Sequence, residues 1–199
     1  MPFPADPAVS AITARPIWEP IHSPAVLTVT AAPNGFAACS LPDPRALSVL
    51  GELTGDGFHA VAADSEGDHQ LCFAAGAKAV RAAILLPVDP HFWWRYRNAG
   101  RLMRRLEGKR AGRWPRDQRL SAFQLHRAAL MLRAWDGMES GASRRFIAGI
   151  LLNKDVEGLR AIDWKNAPER RRLARILMAS RTMIGGGYLR WLAGAGRIV

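Results

Sequence analysis

The stretch PERRRLARILMASRTMIGGGY, residues 168–188, holds five arginines and closes on three glycines. A guanidinium is planar and permanently charged, and it forks onto a phosphate or onto guanine O6 and N7. Placed on a helical wheel, Leu173, Ile176, Leu177, Ser180, Met183 and Ile184 share an arc of about 120°. Arg171, Arg175, Met178 and Thr182 line the opposite face, Arg170 and Arg172 flank its start, and Lys165 stands just ahead. Basic groups at a helix N-terminus oppose the helix dipole and weaken the helix. That end is also the one a recognition helix presents to base edges in the major groove. The ordinary alternative is a solvated face, and the dipole conflict weighs against it. The reading is a recognition helix over about 166–184, with an Asn166–Glu169 capping box at its start and a left-handed glycine at its end. Arg144 and Arg145 begin the preceding short helix behind Ser143 as N-cap, where phosphate contacts are expected.

The charge around these residues is lopsided. Residues 1–90 hold four basic and nine acidic groups, whereas residues 91–199 hold 24 basic and eight acidic, for a net +11. Such asymmetry predicts a polyanion-binding half joined to a half with another task.

The elements divide in the same place. Residues 1–24 are proline-broken and read as an extended arm held by Trp18 and Ile21. Residues 25–88 read as a small β-rich domain for oligomer or partner contacts. AVLTVTAA alternates, FHAVAAD and HQLCFAA flank the turn SEGD as a hairpin, and RAAILLPV suits a buried strand. DPRALSVLGELTG carries Asp43 and Pro44 at its start and a closing glycine, which predicts a short helix. From Asp89 the period is helical, so 89–199 reads as a helical DNA-binding domain. Its first helix shows a core-facing stripe of Phe92, Tyr96, Ala99, Met103 and Leu106. Its second, residues 118–135, is apolar nearly all round and reads as the centre of a bundle. The fold class is α+β, a small β-rich N-terminal domain followed by an all-helical helix-turn-helix domain.

The string RAAILLPVDPHF, then LRAWDGMESGASRRFIAGILL, then DWKNAPERRRLARILMASRTMIGGGYLRWL resembles the DNA-binding domain of RovC-like type VI secretion transcription factors. This proteobacterial family also occurs on integrative elements. The resemblance covers roughly residues 84–193, and the earlier residues look more loosely like the β-rich segment of longer members. It implies a helix-turn-helix module in a transcription regulator that self-associates, with no catalytic residue. Two positions depart from the family pattern. Phe146 stands where an acidic partner for Ser143 is usual, and Asn153 where a glycine usually closes the helix.

Other chemistries find little support. Cys39 and Cys72 cannot build a metal cluster of their own, and the five histidines show no helical ligand spacing. No metal, cofactor or enzymatic activity is expected. The opening residues lack a signal-peptide pattern and no run spans a membrane, so a cytoplasmic bacterial protein is the expectation. Double-stranded DNA is the expected partner, with a homo-oligomer and other transcription regulators beside it. A protein-interaction or antiactivator module and an RNA-binding protein are the alternatives.

Overall fold

The computed structural model describes residues 14–37, 41–47, 50–75 and 81–194. The expectations for the first 13 residues and for Cys39 lie outside them. The chain forms two compact units, one built from the residues up to Arg119 and the other spanning Leu120–Trp191.

The first unit is a five-stranded sheet covered by a helix. β1 (Leu27–Ala31), β2 (Leu50–Thr54), β3 (Gly57–Ala62), β4 (His69–Ala74) and β5 (Ala82–Leu85) lie in the order β2-β3-β4-β1-β5. β1 runs parallel to β4 and antiparallel to β5, and the β2–β3 and β3–β4 pairs are antiparallel. The β3–β4 hairpin forms where the sequence places it. In its turn Asp64 accepts hydrogen bonds from the Glu66 amide, at 2.8 Å through its carboxylate, and from the Gly67 amide, at 3.0 Å through its carbonyl.

Three expectations change here. The helix expected from Asp43 is only one turn, α1 (Pro44–Leu47), and Leu50–Thr54 is a strand instead. The Gly55–Asp56 turn folds it back onto β3, and cross-strand pairing overrides a weak local preference. β5 is an edge strand, half-exposed, because β1 offers it a free side there. The arm is held by Ile17, which is buried, and not by Ile21, which is 84% exposed. Gln70 of β4 fixes it by donating to the Pro16 carbonyl at 2.9 Å, and Arg15 pairs with Asp68 at 2.8 Å.

α2 (Phe92–Leu106) carries the largest difference. Its buried face is Arg95, Asn98, Ala99, Arg101 and Leu102, while Tyr96 and Met103 are exposed. Ala99 and Leu102 join Leu27, Val29, Ala60, Ala62, Leu71 and Phe73 in one core. Thus α2 shares a core with the sheet, although the sequence division at 88/89 separates them. The helix turns two arginines inward because each finds acceptors there. Arg95 meets both Asp89 oxygens at 2.7 Å. Arg101 donates to the carbonyls of Gly112 at 2.7 Å, Gly67 at 2.8 Å and Glu66 at 3.3 Å, with its guanidinium 5.1 Å from the Trp114 ring centre. Arg104 donates to the Ala111 carbonyl, and Glu66 accepts from Arg110 and from the Gly112 amide. The basic connector is therefore tied down by α2 and the hairpin turn.

Burial, together with the charges of Arg101 and Arg105, pushes the His69 imidazole down to about 4 against the partial opposition of Asp64. A base with a depressed folded pKa leaves the unfolded chain holding more protons between pH 4 and 6.5. Its stabilising effect is complete above that window and fades as pH falls through it. Between about pH 7 and about pH 4.5 the His69 contribution to unfolding free energy should fall by about 2 kcal/mol. Urea titration at both pH values checks this, with His69→Gln expected to show a flatter pH dependence than the wild type.

Candidate nucleic-acid interface

The second unit is built on α3 (Ala122–Glu139), α4 (Arg144–Leu151) and α6 (Pro168–Thr182), with α5 (Ala161–Asn166) and a 3-10 turn, Lys154–Gly158, in the α4–α6 connection. Ser121 starts α3 through a full capping box with Gln124, a signal already present in the S-x-x-Q spacing. The α3–α4 turn passes through Gly141 at φ +77°, a conformation glycine enters without strain. Ser143 caps α4 as expected, accepting from the Phe146 amide at 3.2 Å, so the missing acidic partner does not abolish the cap. Asn153 closes nothing in a left-handed conformation. It sits at φ −160° and accepts from the Asp155 amide, opening the 3-10 turn.

Ala134, Ile147, Ala148, Val156 and Leu173 form the core of this unit. α3 contributes only Met131 and Ala134 to the buried set, and Phe123, Leu125 and Leu132 are exposed. Its apolar circumference therefore does not make it the enclosed centre of a bundle. Ser180, buried on α6, donates to the Met131 carbonyl of α3 at 2.8 Å and locks the two helices in register.

On α6 the wheel and the structure agree, but Ile184, placed in the apolar arc, lies past the helix end and is 50% exposed. Leu173 and Ser180 are buried, whereas Arg171, Arg175, Met178 and Thr182 are all exposed. The cap differs from the expectation. Asn166 ends α5, and Ala167 is the N-cap, extended at ψ 136° with no side-chain acceptor. Pro168 enforces this, since its ring disfavours helical geometry in the residue before it. After Thr182 the helix breaks at Gly185 and Gly186, the latter at φ +107°, and α7 (Tyr188–Leu192) resumes.

The seven basic residues singled out from the sequence fall into two groups. Lys165, Arg171, Arg172, Arg175 and Arg144 are exposed, and none of them donates a side-chain hydrogen bond or meets a carboxylate among the described residues. Arg170 is exposed as well but donates to the Lys165 carbonyl at 3.0 Å, folding back over the α5–α6 corner. Arg145 is engaged: it donates to the carbonyls of Val156 at 2.8 Å, Glu157 and Leu159, closing the 3-10 turn. A nearby open cleft of about 440 Å³ includes Asp155, Asp163 and Glu169 in its wall and would repel a phosphate.

A sequence profile described as "T6SS, Transcription factor, DNA binding domain" matches residues 85–193, more than half of the chain. The chain belongs to this family. A second profile, a domain of unknown function (DUF7012), matches residues 25–84. No curated protein and no solved structure matches the chain. Membership in the RovC DNA-binding family makes the protein a DNA-binding transcription factor in general terms. No helix among the described residues is long and apolar enough to cross a membrane.

Sequence reasoning missed one grouping, in the sheet: Asp56, His59 and Cys72 lie together. It is no nucleophile triad, because sulfur and carboxylate both approach the same imidazole nitrogen, Nε2. Burial and the Asp56 charge also push the Cys72 thiol up to about 11, so it stays neutral at ordinary pH.

The two groups of arginines separate in a stability measurement. Arg145→Ala strips a charged donor from three carbonyls and should cost about 2 kcal/mol of unfolding free energy. Arg144→Ala should change it by less than about 0.5 kcal/mol. Denaturant titration of both variants checks the contrast.

Proposed function

We propose that this transcription factor binds specific duplex DNA sequences through α6, with Arg171 and Arg175 at base edges and Arg170, Arg172 and Lys165 beside them on the backbone. The observation that carries this is the row of exposed, unpaired arginines along α6, opposite a face locked into the core. In the first unit Arg95, Arg97, Arg101, Arg104 and Arg110 have protein partners, and the outward Arg113, Arg116 and Arg119 lie on the connector and not on an α-helix face. A merely solvated helix would not need its guanidiniums left free and collected at the end where they weaken it.

In this reading α4 and α6 are the two helices of a helix-turn-helix, with the 3-10 turn and α5 enlarging the connection. Arg144, at the start of α4, meets phosphate. Arg145, although assigned to phosphate from the sequence, serves best by holding that connection in shape. The sheet unit mediates self-association, for which β2 offers an open edge with Leu50 and Leu53 exposed. The protein works in the bacterial cytoplasm without a catalytic role. Sequestration of another regulator and RNA binding remain the competing classes, distinguished by whether duplex DNA is shifted at all and whether RNA competes it away.

Arg171→Ala with Arg175→Ala should leave the fold intact and lower affinity for a selected duplex by about 1–3 kcal/mol per base contact. Unchanged binding by the folded double variant would remove α6 from the interface. Arg144→Ala should weaken binding about equally on all sequences and reduce the salt slope by about one. Because α2 belongs to the sheet's core, a fragment test must cut at Leu120 and not at residue 84. Residues 120–199 should keep the sequence preference, bind more weakly and sediment as a smaller species than the full chain. A monomeric full chain whose affinity equals that of the fragment would give the sheet unit a different task.

A further inference from the structure

The sheet holds a grouping of side chains that DNA binding does not use. His59 on β3 and Cys72 on β4 are direct cross-strand partners, and both are buried. They share one face of the sheet, and Cys72 Sγ lies 3.7 Å from His59 Nε2. The turn between β2 and β3 brings Asp56 to the same nitrogen, with Oδ1 at 3.0 Å and Oδ2 at 3.2 Å. A sulfur, a nitrogen and an oxygen donor thus lie within 4.8 Å of one another. A hydrogen bond explains one of these approaches. The other brings Cys72 Sγ against the same nitrogen, which offers a single proton or a single lone pair.

We infer that Asp56, His59 and Cys72 form a binding site for one zinc-class divalent transition-metal ion, with the fourth coordination position open to solvent beside Asp56. Tetrahedral zinc at ordinary bond lengths sets nitrogen and sulfur about 3.6 Å apart, and nitrogen and oxygen about 3.3 Å apart. The observed 3.7 Å and 3.0 Å match both closely. The buried pair needs almost no movement, and the Asp56 side chain, 62% exposed, is free to swing toward the sulfur. Donor type selects the ion. Calcium and magnesium take oxygen ligands, whereas an imidazole with a thiolate, formed as the incoming ion displaces the Cys72 proton to solvent, suits zinc and its neighbours. Three protein ligands leave room for one water or one exogenous ligand. The bound ion joins the β2–β3 turn to β4 and stabilises the folded sheet by mass action.

Intact protein, stripped with a chelator and kept reduced, is titrated with Co²⁺ as a spectroscopic substitute for Zn²⁺. One equivalent should produce a near-ultraviolet sulfur-to-cobalt charge-transfer band and strong visible bands of tetrahedral cobalt. Zn²⁺ should abolish both and raise the melting temperature. Cys72→Ser should remove the charge-transfer band, and Cys39→Ser should keep it. Asp56→Ala, confirmed as folded by circular dichroism, should weaken Co²⁺ binding at least tenfold. Three results overturn the assignment: no charge-transfer band in the folded wild type, a band that survives Cys72→Ser, or undiminished binding by Asp56→Ala. Should Cys72→Ser fail to fold, Asp56→Ala decides alone.

Discussion

The buried guanidinium of Arg101 is the interaction on which the first unit depends. It is 2% exposed, donates to three backbone carbonyls from two different loops, and lies against the ring of Trp114. A buried charge is costly unless its protons are used. Here its Nε and Nη2 protons go to the carbonyls of Glu66, Gly67 and Gly112. The facing direction of α2 and the course of the connector follow from this placement, and its charge adds to the burial that keeps His69 neutral. Lysine could not replace it, since a point charge on a flexible stem cannot span the same acceptors.

Arg145 repeats the device in the second unit, fastening three carbonyls of the α4–α6 connection. The protein therefore uses arginine in two ways, as an internal clamp for irregular backbone and as an outward charge. The net charge of +11 counts both alike. Only the outward set is available to a polyanion, and on α6 it is presented by a helix whose other face is fixed through Leu173 and the Ser180–Met131 hydrogen bond. Rigid mounting of the helix and freedom of its guanidiniums come from the same amphipathic pattern.

That pattern was legible because α6 obeys a simple period, with apolar residues inward and charges outward. The strands β1, β3 and β4 and the Ser143 cap were legible for similar local reasons. α2 was misread because its buried stripe contains Arg95 and Arg101, and a rule that places charge outside shifts the face by about one residue. Arg95 finds its acceptor in Asp89 just ahead of the helix, but Arg101 finds Glu66 and Gly67 on a remote turn that no local window contains. β2 was hidden because Leu50–Thr54 becomes a strand only by pairing with β3. The Ala167 cap was masked by an attractive Asn-x-x-Glu spacing, although Pro168 already disfavoured a helical residue before it. The Asp56–His59–Cys72 grouping depends on cross-strand register, so spacing along the chain could not reveal it.

The unassisted start of α6 has a practical consequence for work with the purified protein. With alanine at the cap and proline next, no side chain caps the first turn, and its single carboxylate, Glu169, is outnumbered by the guanidiniums of Arg171 and Arg172 beside the positive end of the helix dipole. Multivalent oxyanions are drawn to such a concentration of charge far more strongly than chloride is. The buffer is then a competitor and not a bystander. On the proposed α6 interface, affinities measured in phosphate or sulfate will understate those in chloride at equal ionic strength.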